Sequence, residues 1–414
     1  MNMAQTLSDQ AQNTTIAFSA MAMMTGNLGS QSFFPPGKIA DYTGFQYLRD
    51  NDPDNMGHNT SFLTRVAENI MYILTTAQLN QLAVLAKSQD ADFKLYGAKR
   101  FPLMKAFRRL MESDIPSGTT GLSLDAIKAA SKELYIIDGQ VSYDRAVLYA
   151  TVLNSLSTAQ KAAIDAMVGK GWASWPDTSV DPIKSAVEAK KVALGRDVDM
   201  VAIMTYSSDL FSWYAGSLEA DVYFCPERHG TYFGSFFMKD APAIGHEGYS
   251  INEQLTATAG RALSDSTYGY VDKTQATLMS SLVETQRSNL YSGTTSIVSL
   301  RTQIATLLRT LIATGGVDSS GIKAQVLALS ATYGELDGEN NYNYATVMAS
   351  VYKTLTTAQK TKLMTLRESI MKGTYTTTGE AFDFTNTATP YLYSAVISDA
   401  TATGYIGSTD ALFQ

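Results

Sequence analysis

Residues 138–161 and 337–360 align at an offset of 199 without a gap, and 11 of the 24 aligned positions are identical. Self-similarity on that scale constrains the fold more than any single motif, because each copy must build the same local unit. A second match lies upstream of the first. Tyr42-Thr43-Gly44-Phe45-Gln46-Tyr47-Leu48-Arg49-Asp50 corresponds to Tyr232-Phe233-Gly234-Ser235-Phe236-Phe237-Met238-Lys239-Asp240. Each block is preceded by an aromatic-then-proline step, Phe34-Pro35-Pro36 or Phe224-Cys225-Pro226, and followed by Gly-His, Gly57-His58 or Gly245-His246. The blocks occur in the same order. The chain therefore reads as an N-terminal tail (1–14), two homologous repeats (15–203 and 204–400) and a C-terminal tail (401–414), with the repeats packed about a pseudo-twofold axis.

Periodicity points to helices. Phe101, Met104, Phe107, Leu110 and Met111 recur at helical spacing, as do Ile304, Leu307, Leu308, Leu311 and Ile312 in the second half. Thr60 to Leu74 repeats the pattern through Phe62, Val66, Ile70 and Ile73. Breaks are expected at Pro116-Ser117-Gly118, from Gly169 to Pro176, and at Gly315-Gly316. The matched Asp138-Gly139 and Asp337-Gly338 steps read as turns, since Asp-Gly favours them. No β-α-β rhythm is visible. The expected class is all-α, with long irregular aromatic and glycine-containing loops at 25–58 and 215–250, a length at which loops are often functional.

Four segments share one local pattern: Leu74-Thr75-Thr76-Ala77-Gln78, Leu156-Ser157-Thr158-Ala159-Gln160, Val271-Asp272-Lys273-Thr274-Gln275 and Leu355-Thr356-Thr357-Ala358-Gln359. The physics is that of a capping box. Thr75, Ser157, Asp272 and Thr356 accept from the amide three residues on, and Gln78, Gln160, Gln275 and Gln359 reach back to the cap amide. An apolar residue precedes each cap, and another follows each Gln by four positions: Leu82, Ile164, Met279 and Leu363.

These pentads resemble the LTXXQ motif of the Spy/CpxP-like family of bacterial periplasmic proteins. The resemblance covers the four pentads and the adjoining helix turns. It implies a small all-helical unit with two motifs per subunit that dimerises into a curved cradle, so a four-motif chain is a fused dimer of such units. It further implies ATP-independent chaperone activity, with relatives acting in envelope stress and metal sensing. The chain departs from the pattern in its longer repeats, its aromatic loops and its net charge of −7, where a cradle of that kind presents basic patches.

Composition narrows the remaining choices. The negative net charge argues against nucleic-acid binding driven by bulk charge. One cysteine excludes a disulfide framework and a four-cysteine zinc site. No run is long and apolar enough for a membrane helix. The N-terminus lacks a basic signal-peptide region, the first basic residue being Lys38. Scarce cysteine and linkers rich in Thr, Ser, Asn and Gly point to a periplasmic or extracellular location. No Gly-x-Ser-x-Gly elbow, Walker loop, HExxH or CxxCH is present.

The candidate metal ligands are His58, His229, His246 and Cys225, with Met56 and Met238 as soft neighbours. His58 and His246 occupy matched positions, and Cys225 and His229 have a spacing that a metal site uses. A transition metal or haem is the cofactor these residues would suit. Three readings follow. The first is a non-enzymatic exported protein that captures apolar or unfolded protein segments in a groove between the repeats. The second is a metal- or haem-binding protein using the Gly-His loops. The third is a structural or assembly subunit. The sequence does not set the oligomeric state.

Overall fold

The computed structural model describes residues 61–170, 174–195, 200–215, 270–362 and 409–414, together with Asp9, Gln12, Asn13, Ile16, Ala20 and Met24. Of these, 78% are helical and none forms a strand, which makes the described part of the chain all-α. In the first half the helices are α1 (Ser61–Ile73), α2 (Thr76–Glu112), α3 (Leu124–Asn154), α4 (Thr158–Asp165) and α5 (Ile183–Leu194), and α6 (Met200–Tyr214) crosses the expected 203/204 boundary with most of its length in the second half. In the second half they are α7 (Lys273–Ser280), α8 (Leu282–Tyr291), α9 (Ile297–Ala313) and α10 (Ile322–Thr354), followed by helical turns at 357–362. A 3₁₀ turn, Thr409–Leu412, comes last. No helix among the described residues is long and apolar enough to cross a membrane.

The expected breaks are where the chain turns. Gly118, Gly169, Gly315 and Gly316 all have positive φ, a region that a Cβ disfavours. Matched helices are built differently in the two halves. α2 is one 37-residue helix that tolerates Pro102 in its interior. Its counterpart is divided into α7, α8 and α9, with Gly293 at φ 81° between the last two. The predicted apolar faces are buried at Phe107, Leu110 and Met111 on α2, and at Ile304, Leu308 and Leu311 on α9.

The centre of the molecule is the antiparallel crossing of α3 and α10, the most extensive helix pairing among the described residues. Lys128 meets Glu339 at 2.9 Å and Lys132 meets Glu335 at 2.7 Å along its flank. The crossing corrects the expectation that Asp138-Gly139 and Asp337-Gly338 are turns, because both steps lie inside helices, α3 and α10 respectively. The glycines serve close approach instead. A Cβ on Gly338 would lie 2.7 Å from the Ser131 Cβ, and one on Gly139 would lie 2.5 Å from the Ser330 Oγ. Ser131 and Ser330 are themselves matched at an offset of 199, so the two contacts are reciprocal. Small residues on both helices let the backbones come together. The local turn preference of Asp-Gly is overridden by burial on both sides.

Helices near the start of each half lie against the other half. Gln12, Ile16, Ala20 and Met24 are buried at one-turn spacing. Asn13 accepts from Ser280 Oγ at 2.7 Å, Gln12 bonds to Gln286, and Asp9 pairs with Arg287. These partners belong to α7 and α8. Conversely α6, which opens the second half, packs on α1 and α2 of the first. Where the terminal segments are described, Asp9, Gln12 and Asn13 are helical, and residues 409–414 dock on α2 and α3.

Candidate functional site

All four predicted caps form. The backbone N–H of Thr75 donates to Gln78 Oε1 at 2.8 Å, and Gln78 N–H donates to Thr75 Oγ1 at 3.2 Å. Ser157 and Gln160 repeat this at 2.9 and 3.2 Å. Asp272 and Gln275 do so at 2.8 Å in both directions. Thr356 and Gln359 follow at 2.8 and 3.2 Å. The apolar anchors Leu74, Leu156, Val271 and Leu355 are buried, as are Leu82, Ile164 and Met279. Leu363 lies outside the described residues.

The structure then brings the caps together in pairs. Gln160 Nε2 donates to Gln78 Oε1 at 2.7 Å, and Gln359 Nε2 donates to Gln275 Oε1 at 2.8 Å. Each accepting oxygen is thereby shared between its own cap amide and the partner glutamine. The freed amide of the accepting residue turns to a hydroxyl, Gln78 Nε2 to Ser155 Oγ at 2.9 Å and Gln275 Nε2 to Thr354 Oγ1 at 3.0 Å. Those hydroxyls in turn donate to Val152 O and Val351 O, each at 2.7 Å. Ser155 and Thr354, like Val152 and Val351, are matched at an offset of 199. Two equivalent clasps result. Each ties the start of a long helix segment to the turn that follows the central helix of the same half. Sequence reasoning found the glutamines but not their pairing. The available signal was the Ser-x-Ser and Thr-x-Thr spacing at 155–157 and 354–356.

The clasps are frame rather than chemistry, since amides and hydroxyls that satisfy one another leave no reactive group. Their contribution is testable. Gln160→Ala removes the reach to the Ser157 amide, the bond to Gln78 and a 2.9 Å bond to Ile73 O. It is expected to lower the unfolding free energy by about 2 kcal/mol in urea titration. The Gln78→Ala/Gln160→Ala double variant should lose less than the sum of the singles, because the two side chains share one network.

Two charged clusters lie deeper. Arg145 on α3 pairs with Asp209 on α6 at 2.8 Å and lies over the Tyr206 ring at 4.8 Å. At the α3–α10 crossing, burial pushes the Asp337 carboxyl well above the usual carboxylate range. Arg301, the Tyr135 hydroxyl and the Asn341 amide oppose that push, the amide from 2.9 Å. Asp337 is the matched partner of Asp138, yet the latter is only half-buried. The Tyr135 ring meets Tyr333 with centroids 4.6 Å apart.

Among the described residues no group of three or more His, Cys, Asp or Glu is placed to hold a metal ion. The candidate ligands His58, His229, His246, Cys225, Met56 and Met238 all lie outside the described residues. The matched acids Asp50 and Asp240 also lie outside them. No family model, curated protein or solved structure matches this chain.

Proposed function

We propose that the chain is a non-enzymatic helical binding protein, a fused pair of related units that captures apolar or unfolded protein segments between its halves in a periplasmic or extracellular setting. The observation that carries this reading is the pair of equivalent glutamine clasps. Two caps per half, joined in the same way, are what two motif-bearing units fused into one chain require. Reciprocal Ser–Gly contacts at the α3–α10 crossing and the exchanged first helices support the same twofold reading.

The test is aggregation of a heat-denatured model client, followed by light scattering. The chain at an equimolar ratio is expected to slow aggregation without ATP. A time course that coincides with client alone, or with client plus an inert protein, overturns the reading. A second reading rests on the matched Gly57-His58 and Gly245-His246 steps. It assigns a transition metal or haem to those loops. Elemental and absorption analysis of protein purified without chelators is expected to show a bound group that His58→Ala/His246→Ala loses. Unchanged metal content in that variant would sink this second reading.

A further inference from the structure

The second clasp gathers positive charge that the first does not. The bonds from Gln275 Nε2 to Thr354 Oγ1 and from Gln359 Nε2 to Gln275 Oε1 bring three places together: the start of α7, the end of α10 and the helical turns at 357–362. Each carries lysine: Lys273 on α7, Lys353 in the last turn of α10, and Lys360 and Lys362 beyond the fourth cap. Lys273, Lys353 and Lys362 are exposed, and Lys360 is half-exposed with its Nζ 4.6 Å from the Tyr352 ring centroid. None of the four forms an ion pair among the described residues.

The first half supplies the comparison. The matched residues there are Thr76, Asn154, Lys161 and Ala163, so only one of the four positions is basic. Residues 270–280 and 350–362 hold four lysines against one acid, Asp272, a charge of +3. That acid is already engaged as the cap of α7, accepting from Gln275 N–H at 2.8 Å. The chain carries −7 overall, so the remainder carries −10. A concentrated positive end on an acidic body orients the molecule near an anionic surface, because the body is repelled where the end is attracted.

We propose that the second clasp is the surface by which the protein docks on an anionic lipid bilayer, with Lys273, Lys353, Lys360 and Lys362 against the phosphate headgroups. The clasp itself does not need this charge, since the first clasp forms the same bonds with threonine, asparagine and alanine at three of the four places. The choice of lysine fits a headgroup layer. An ammonium is a point charge that demands no particular geometry, whereas the planar arginine fork suits a defined carboxylate or phosphate. Lysine is also depleted from protein–protein interfaces, where charges lose their water. Each lysine near an anionic surface strengthens binding about fivefold, an effect that falls off within a Debye length. Tyr352, half-buried beside Lys360, is of the aromatic type enriched at headgroup level.

The test is co-sedimentation of the full-length chain with vesicles of phosphatidylcholine, alone or mixed equally with phosphatidylglycerol. Binding is expected only to the anionic vesicles, and it is expected to fall as salt is raised. Lys273→Thr/Lys353→Asn/Lys362→Ala writes the first half's residues into the second clasp. It is expected to weaken binding about a hundredfold while leaving the circular dichroism and the urea midpoint unchanged. Adding Thr76→Lys/Asn154→Lys/Ala163→Lys builds the same patch on the first clasp and is expected to restore binding, a result that misfolding of the triple variant could not produce. Absence of binding to anionic vesicles, undiminished binding by the triple variant, or a folded sixfold variant that does not regain binding overturns the proposal. A polyglutamate peptide that binds the chain while anionic vesicles do not would assign the patch to an acidic protein segment and overturn it as well.

Discussion

Gly334→Ala is expected to lower the unfolding free energy by about 2–3 kcal/mol, although alanine is the better helix former by about 1 kcal/mol. The reason is what the added methyl meets. A Cβ at Gly334 would lie 2.8 Å from the Ser131 carbonyl oxygen, 2.8 Å from the Tyr135 Cβ and 2.9 Å from the Lys132 Cα. Two of those three are backbone atoms of α3, which cannot rotate aside, so the helices must separate. Separation would loosen the Tyr135–Tyr333 contact and the surroundings of Asp337 on the same crossing. The matched pair should rank below it. At Gly338 the nearest atom is the Ser131 Cβ at 2.7 Å, with the Lys128 Cα at 3.1 Å. At Gly139 the nearest is the Ser330 hydroxyl at 2.5 Å, which can turn away, followed by the Ser330 Cβ at 2.9 Å, and none of the three nearest atoms is backbone. Chemical denaturation of the three variants should therefore give losses in the order Gly334, Gly338, Gly139. A gain in stability at all three, as in an isolated helix, would mean that the crossing is not close-packed.

That ranking also shows where the sequence was legible. The four caps were readable because every atom of a capping box lies within four consecutive residues, and all four form. The breaks at Gly118, Gly169, Gly315 and Gly316 were readable for the same reason, a local demand for positive φ. Asp138-Gly139 and Asp337-Gly338 were misread because the same local logic was applied where a partner about 190–210 residues away decides the conformation. The glutamine clasps were half-legible. Their capping half is local, but Gln78 and Gln160 meet only after α2 and α3 have packed. The exchange of first helices left no local signal, since Gln12 and Tyr206 carry no mark of which half they will face. The docked Asp-Ala-Leu-Phe segment was likewise invisible, because six residues of a terminal stretch show no periodicity. The candidate metal residues lie outside the described residues.

The second large effect is expected at Arg145, which fastens α6, a helix of the second half, to α3 of the first. Its side chain is buried, within 2.8 Å of Asp209 and over Tyr206. Tyr149 completes the setting, with its hydroxyl 3.4 Å from the same carboxylate and its ring edge-on to Trp213 at 5.0 Å. Removing one charge of a buried pair is costly because the other keeps its desolvation penalty, so Arg145→Met should lose about 3–4 kcal/mol. Removing both at once should cost far less, and Arg145→Met/Asp209→Leu is expected within about 1 kcal/mol of the unsubstituted chain. The matched position makes the comparison sharper. Residue 344 is a tyrosine, and it bonds to Gln286, which in turn bonds to Gln12 on the helix from the first half. At this matched position the bond is between neutral groups, with the Asp9–Arg287 ion pair left in place, so Tyr344→Phe should lose only about 1 kcal/mol. Hydrogen exchange separates a local from a global effect: Arg145→Met should strip protection from α6 before α3, whereas Tyr344→Phe should leave α6 unchanged. Equal losses at 145 and 344 would mean that the ion pair fastens α6 no more strongly than a neutral hydrogen bond would.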